Sequence, residues 1–411
     1  MRILWISHFL LYPETGYGAL QRSRNLLLEL CKHHDIYLIC LFREADKSLV
    51  KNLDLAEIDL KKHCKNVFFV PHKISNISKI YFILKSIFAK FPYSVSIYCS
   101  KYLKNDVLRF ISDENIDLIH SDTLGMIEPI LDRISAIKVL NHHDIESHKM
   151  YRRYKNEENL AKRLFFWNEN KCLEKYEKKY YKKYDMNIVV SEMDYKRLNE
   201  IMGKWNIHAI IVENGVDCDY FAFHARKNCH EELIFTGALD YYPNDKSMLF
   251  FCSDVWPILK KKYPKLKFSI IGKNPSKSLM SLVKSSRDIK MLGYVDDVRP
   301  HIKRAKVFVC PIKEGGGTRI KILDAFSQGV PVVSTYIGAE GLDAVNGKHL
   351  LIADTPSEFV ERISDLLDND VLSEKISRDA RKFVEEKYSY KYLGKKLAKE
   401  YENLLENKLN T

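Results

Sequence analysis

Short β-branched runs alternate with helix-length stretches along the whole chain, and this alternation limits the fold more than any other feature. RILWIS (2–7), DIYLICL (35–41), NVFFV (66–70), DLIHS (117–121), IKVLN (137–141) and MNIVVS (186–191) form the first set. ELIFTG (232–237), KFSIIG (267–272), IKML (289–292), KVFVCP (306–311), VPVVST (330–335) and HLLIA (349–353) form the second. Strand and helix signals in strict alternation mark parallel α/β layers, so two doubly wound domains of similar size are expected. VENGVDCDYFAF (212–223) carries the break, and YSYKYLGKKLAKEYENLLENKL (388–409) reads as a long basic helix.

Charge and cysteine content narrow the function classes. The formal net charge is +12, which suits anionic partners without choosing among them. No basic motif with interleaved aromatics points to nucleic acid. Residues 148–184 hold 12 basic and 5 acidic residues, with an apolar stripe at Ala161, Phe165, Cys172, Tyr176 and Tyr180. Such a helix packs one face on its domain and offers the other to solvent, to an anionic membrane or to a pyrophosphate-bearing acceptor. Nine scattered cysteines without a C-x-x-C pair argue for a reducing compartment and against a zinc site. The opening MRILWISHFLLYPETGYG is interrupted by His8 and reads as a buried first strand followed by a turn. ISKIYFILKSIFAKF (77–91) contains Lys79, Lys85 and Lys90 and is too short and too charged to span a bilayer. A cytoplasmic protein is expected, at most peripheral on the inner face of the membrane.

The chemistry concentrates in KEGGGTRIKILDAFSQGVPVVST (313–335). A strand ends, a glycine-rich loop follows, and a helix begins near Thr318 or Arg319. Glycines at the carboxyl end of a parallel strand let backbone N–H groups close on a ligand, and a helix N-terminus carries about half a positive charge. Arg319 and Lys321 add fixed charge beside it. The segment suits a diphosphate, while Asp324 is placed to accept hydrogen bonds from ribose hydroxyls. It matches neither the P-loop nor the dinucleotide G-x-G-x-x-G pattern.

GGGTRIKILDAFSQGVPVVSTYIGAEGL (315–342) resembles the donor loop of family 4 (group 1) retaining glycosyltransferases, in the subgroup with G-G-G-T-R-x-K-x-L-[DE]-A. SEMDYKRL (191–198), VENGVDCDYF (212–221), FTGALDYYPN (235–244), LGYVDDVRPHIKRAKVFVCP (292–311) and ETGYGALQRSRNLLLEL (14–30) are similar as well. The resemblance implies a GT-B fold: two facing Rossmann-like domains with a C-terminal helix crossing back to the N-terminal one. Residues 1–213 would be the acceptor-side domain, 214–387 the donor domain and 388–411 the returning helix. It also implies transfer of a sugar from a nucleotide diphosphate to a glycan or lipid-linked acceptor hydroxyl, with retention and with no cofactor or divalent metal.

By the same resemblance, Arg319 and Lys321 would neutralise the departing diphosphate, a form of preorganised charge stabilisation. Glu314, Gly315, Gly316, Gly317 and Thr318 would line the donor sugar and phosphate, and Asp324 the ribose. Gly293, Tyr294 and Val295 would hold the base, Gly237 would lie in the donor site, and Gly16 and Gly18 would approach from the N-terminal domain. LNHHDIESHKMY (140–151) is similar to the family's His-Asn/Asp-x-Glu-Ser element, which puts His143 near the anomeric carbon, with His142, Asp144 and Glu146 as weaker candidates. Two departures stand out. Gly316 occupies the position of a glutamate that contacts the donor sugar in many relatives, and Gly237-Ala238-Leu239 replaces a Gly-Arg-Leu, with Asn244 and Lys246 as weak substitutes for the lost cation. The D-x-D of Asp217 and Asp219 lies in the domain link and reads as turn chemistry rather than a metal site. A sugar-nucleotide epimerase or hydrolase, or a non-catalytic nucleotide-sugar-binding protein, is the alternative on the same scaffold.

Overall fold

A computed structural model of the 411-residue chain describes residues 1–12, 18–43, 53–72, 74–98, 101–225, 230–314 and 319–409. The chain divides into two compact units, Met1–Glu213 with Gly394–Thr411, and Asn214–Leu393.

The first unit is built on a parallel sheet of β1 (Arg2–Ser7), β2 (Asp35–Arg43), β3 (Asn66–His72), β4 (Leu118–Ser121), β5 (Ile137–Asn141), β6 (Met186–Val189) and β7 (Ala209–Ile211). Their order is β3-β2-β1-β4-β5-β6-β7. Every residue of β4, and every residue of β1 after Arg2, is buried. That is the consequence of covering both faces of a parallel sheet with helices. β7 has no counterpart among the expected strands. It is three residues long and only half-buried, so it carries little of the periodic signal that marks the others.

The second unit repeats the topology with β8 (His230–Thr236), β9 (Lys267–Ile271), β10 (Ile289–Gly293), β11 (Ala305–Cys310), β12 (Val332–Ser334) and β13 (Leu351–Ile352), ordered β10-β9-β8-β11-β12-β13. In both sheets the order reverses beside the first strand of the unit, between β1 and β4 and between β8 and β11. Crevices outside the carboxyl ends of strands at such reversals are where open α/β sheets bind ligands.

The C-terminal helix Tyr390–Leu409 starts in the second unit and belongs to the first from Gly394 onward. Leu397 and Tyr401 are buried along it, Lys396 pairs with Glu213 at 3.5 Å, and the Lys408 ammonium donates to the Ser135 carbonyl. Gly394 lets the helix close on Gly18–Leu30, since a Cβ there would stand 2.3 Å from the Cβ of Glu29. On the helix Leu160–Tyr180 the expected stripe is only partly inward. Cys172 and Tyr176 are buried and Phe165 and Tyr180 half-buried, but Ala161 is exposed, while Glu169 and Glu177 turn inside. Those carboxylates are buried because they accept backbone N–H groups, Glu169 from Tyr93 and Ser94 and Glu177 from Ser147.

Gly394→Val is expected to lower stability by about 1–3 kcal/mol, the usual cost of overpacking a closed contact. Chemical denaturation checks it.

Candidate functional site

At the β1/β4 reversal the chain buries a carboxylate. Asp122 follows β4 directly and has no exposed surface. One oxygen, Oδ2, accepts the Ser23 hydroxyl at 2.6 Å; the other, Oδ1, accepts the Asn141 amide at 2.8 Å and lies 3.3 Å from His143 Nε2. Ser23 comes from the helix Gly18–Leu30, Asn141 ends β5, and His143 stands two residues beyond it. Arg22, also fully buried, donates to the Glu213 carbonyl at 2.5 Å and to the Asn141 side-chain oxygen at 3.3 Å. Burial alone would push Asp122 upward. The charge and hydrogen bond of His143, with the His120 ring 3.7 Å away, outweigh it and hold the carboxyl well below its usual range.

His120 extends the cluster inward. It is the register partner of Trp5 on the neighbouring strand, and their rings stack at 3.5 Å. Its Nδ1 lies 2.5 Å from the Tyr401 hydroxyl of the C-terminal helix. Burial lowers its pKa, which favours the neutral ring. Nothing in the HSDT sequence (120–123) marks it as functional except an acid placed directly after an all-buried strand.

The two adjacent histidines part ways here. His142 is buried, with its ring against Tyr181 at 4.7 Å and Nε2 3.1 Å from the Asn187 side-chain oxygen. Burial pushes its pKa down to about 4, so it is a neutral core residue. His143 keeps 14% of its side chain exposed and faces Asp122. Asp144 pairs with Arg152 at 3.1 Å and Glu146 with Lys149 at 3.2 Å along the following helix. His8, at the end of β1, lies with its ring 5.9 Å from that of His143. One ligand-type atom from each of His8, Asp122 and His143 falls within 4.8 Å of the others. Gly18 is half-buried at the first position of its helix, whereas Gly16 lies outside the described residues.

At the β8/β11 reversal the second unit gathers basic groups. Lys321, in the first turn of the helix Ile320–Ser327, places its ammonium 4.2 Å from the Phe235 ring centroid and donates to the Asn244 side-chain oxygen at 2.9 Å. Gly237 makes that approach possible, because a Cβ on it would stand 2.4 Å from the Lys321 nitrogen. Burial lowers the Lys321 pKa to about 8 and raises that of Asp324, one turn on, to about 8. Among the described residues no carboxylate lies within 4.0 Å of the Lys321 ammonium. With Asp324 protonated at neutral pH, the positive charge there is under-compensated.

Arg319 is the N-cap of this helix, which begins one residue later than expected, and it donates to the Glu314 carbonyl at 3.4 Å. The Glu314 carboxylate itself pairs with Lys246 at 2.5 Å, so those two candidates are partners, and Asn244 is engaged by Lys321. Gly315, Gly316, Gly317 and Thr318 lie outside the described residues. Gly293 closes β10 with φ +69°, a left-handed conformation suited to glycine; Tyr294 is exposed and Val295 packs partly on the core. In the D-x-D segment, Asp217 accepts the backbone N–H groups of Asp219 and Tyr220 at 2.9 Å, which is turn chemistry.

Comparison with known proteins bears on both reversals. Residues 230–369, which include Gly237, Asn244, Arg319, Lys321 and Asp324, match the family of glycosyl transferases group 1. An uncharacterized 44.6 kDa protein in the cps region of Klebsiella pneumoniae is 23% identical over 407 residues, covering 97% of this chain and 99% of that one. Sucrose-phosphate synthase from Thermosynechococcus elongatus superposes with a TM-score of 0.70 at 14% identity, covering 99% of each chain. Anabaena HepE in complex with UDP-glucose superposes with a TM-score of 0.63 at 13% identity, covering 98% of this chain and 100% of that one. The chain has the GT-B fold.

Asp122→Asn is expected to destabilise the protein by roughly 3 kcal/mol, the scale for breaking a buried charge network. A carboxyl held low in the folded state contributes fully above its unfolded pKa of about 3.9 and loses that contribution as pH falls through its folded value. Denaturation across acidic pH should therefore show the wild type losing stability steeply and the variant losing less.

Proposed function

We propose that this protein is a retaining glycosyltransferase that moves a sugar from a nucleotide diphosphate donor to an acceptor hydroxyl in polysaccharide or glycolipid synthesis, without a divalent metal. One observation carries the reading: a largely buried ammonium, Lys321, with no carboxylate in ion-pair reach, at the sheet reversal of the part that matches the group 1 family. A low-dielectric site leaves such a charge costly until an anion meets it. A diphosphate supplies that anion, and its charge grows as the glycosidic bond breaks, so Lys321 and Arg319 would stabilise the departing group more than the ground state. The protonated Asp324 carboxyl can donate as well as accept hydrogen bonds toward a ribose. Tyr294 would border the base, and the glycines at 315–317 would admit the sugar and phosphates.

In the first unit His143 is the residue proposed to face the reacting sugar. Asp122 fixes its orientation and, as a buried anion, favours positive charge on the sugar ring as it develops oxocarbenium character. Ser23 and Asn141 hold Asp122 in turn. The setting in a polysaccharide pathway rests on the likeness to the cps-region protein. A nucleotide-sugar donor is supported by the UDP-glucose complex of a protein with the same fold.

A thermal-shift panel of nucleotide diphosphates and nucleotide sugars, run with and without EDTA, tests the donor reading. A selective rise that EDTA leaves unchanged is expected. No rise with any nucleotide sinks the donor assignment, and loss of the rise in EDTA sinks metal independence. Arg319→Ala and Lys321→Ala should each weaken diphosphate binding at least about tenfold, the scale of a lost charge-assisted hydrogen bond. Because the Lys321 ammonium is lost as pH rises through about 8, wild-type affinity should fall more steeply across that range than that of Lys321→Ala, in which Asp324 alone still titrates.

His143→Ala should retain nucleotide binding while transfer falls about a hundredfold or more, with a lower melting temperature because the buried Asp122 loses one of its donors. Hydrolysis or epimerisation of the donor in the absence of any acceptor, abolished by the same variant, would move the assignment to the alternative enzyme class.

A further inference from the structure

The helix Asn76–Phe88 in the first unit is inverted. Its one fully buried residue is Ser86, while Ile77, Ile80, Tyr81, Leu84, Ile87 and Phe88 are exposed. Those six positions follow the i, i+3, i+4, i+7 spacing that puts them on a single face. Ile77 and Phe88, at opposite ends, keep 81% and 80% of their surface in solvent. Ser86 is what seats the helix on the domain: its carbonyl accepts the Asn168 amide at 3.3 Å and the Cys172 thiol at 3.4 Å. Both partners lie on the helix Leu160–Tyr180, whose first turns expose a second apolar stripe at Leu160, Leu164 and Trp167, next to Asn168. Scattered apolar residues on a surface need no explanation, but a whole helix face joined to a neighbouring stripe marks an interaction site.

The charge around this face identifies what it meets. Residues 66–105 contain six lysines and no aspartate or glutamate. Lys79, Lys85 and Lys90 lie in or beside the helix, and among the described residues none of them pairs with a carboxylate. By contrast, the basic stretch 148–184 is partly engaged: Lys183 pairs with Asp132, Lys171 with Glu174, and Lys182 sits 3.8 Å over Trp205. A second copy of the chain would bring lysine against lysine. An anionic lipid surface instead accepts apolar side chains below its headgroups and lysine ammonium groups among its phosphates, with lysine stems covering the boundary.

We infer that the Asn76–Phe88 helix, with Leu160, Leu164 and Trp167, is a monotopic docking face for anionic bilayers. The helix lies in the interfacial plane and does not cross it; no helix among the described residues is long and apolar enough to span a membrane. The inference uses the first unit alone and stands or falls independently of the donor site.

Flotation of the full chain with vesicles tests it, using phosphatidylcholine alone and phosphatidylcholine mixed with phosphatidylglycerol. Binding only to the mixed vesicles is expected, weakened by added salt and accompanied by a blue shift of tryptophan emission that Trp167→Phe removes. The double variant Leu84→Glu, Phe88→Glu should lose at least about tenfold in bound fraction, with melting temperature and nucleotide-induced thermal shift unchanged. Lys79→Gln with Lys85→Gln should lose less and flatten the salt dependence. No flotation with either vesicle, or flotation that the glutamate variant leaves unchanged, overturns the inference. A wild-type dimer that the glutamate variant converts to monomer, without vesicle binding, overturns it in favour of a second copy as the occupant.

Discussion

The buried carboxylate of Asp122 is the constraint on which the first unit is organised. A charge with no solvent access is tolerable only when its lone pairs are met by donors in fixed positions. Here the donors come from three places: a hydroxyl on the first helix, an amide at the end of β5, and an imidazole just beyond it. Each must be delivered in register for the others to be worthwhile. The requirement also reaches the far end of the chain, since the His120 ring behind Asp122 is held between Trp5 and the Tyr401 hydroxyl. A helix some 280 residues away in sequence thus helps define the pocket around β1 and β4.

The second unit treats charge in the opposite way. Lys321 and Asp324 sit one turn apart on the same helix, yet burial drives both toward neutrality, with pKa values near 8. A tight ion pair would have kept both fully charged and left nothing for a ligand. With Asp324 largely protonated at neutral pH, the remaining ammonium is fixed by Asn244 and Phe235 and stays available to an anion. Gly237 has its place in the same geometry, because any larger residue would push the lysine nitrogen aside. Ala238 adds no cation beside Lys321, and Lys246 is paired with Glu314, which leaves Arg319 and Lys321 for the proposed diphosphate.

Much of this was legible in the sequence. Most strands stood out because both of their faces are buried, so their apolar residues run without a break; β7 did not, being three residues long and half-buried. Arg319, Lys321 and Asp324 were singled out by the longer GGGTRIKILDA stretch and its resemblance to a donor loop, and the structure brings Lys321 and Asp324 one turn apart on the same helix. The resemblance favoured His143 over His142, but the residues alone did not separate them, since neighbouring residues at a strand exit point to opposite sides and the sequence does not say which side is core. Asp122 was invisible because nothing in its neighbours announces that Ser23 and Asn141 converge on it. The segment 77–91 could be excluded as a membrane span from length and charge, but its inverted burial could not be foreseen.

Sequence alone therefore determined the architecture: periodicity and local turn chemistry act over a few residues, and they specify two parallel sheets and a basic loop at the carboxyl end of a strand. Tertiary structure decided everything that depends on burial and on distant partners. It chose which histidine faces the carboxylate, shifted the titration of Lys321 and Asp324, returned the C-terminal helix to the first unit and turned an apolar helix face outward. Those outcomes depend on dielectric environment and on contacts between residues up to hundreds of positions apart. Neither is a property of any local stretch of chain.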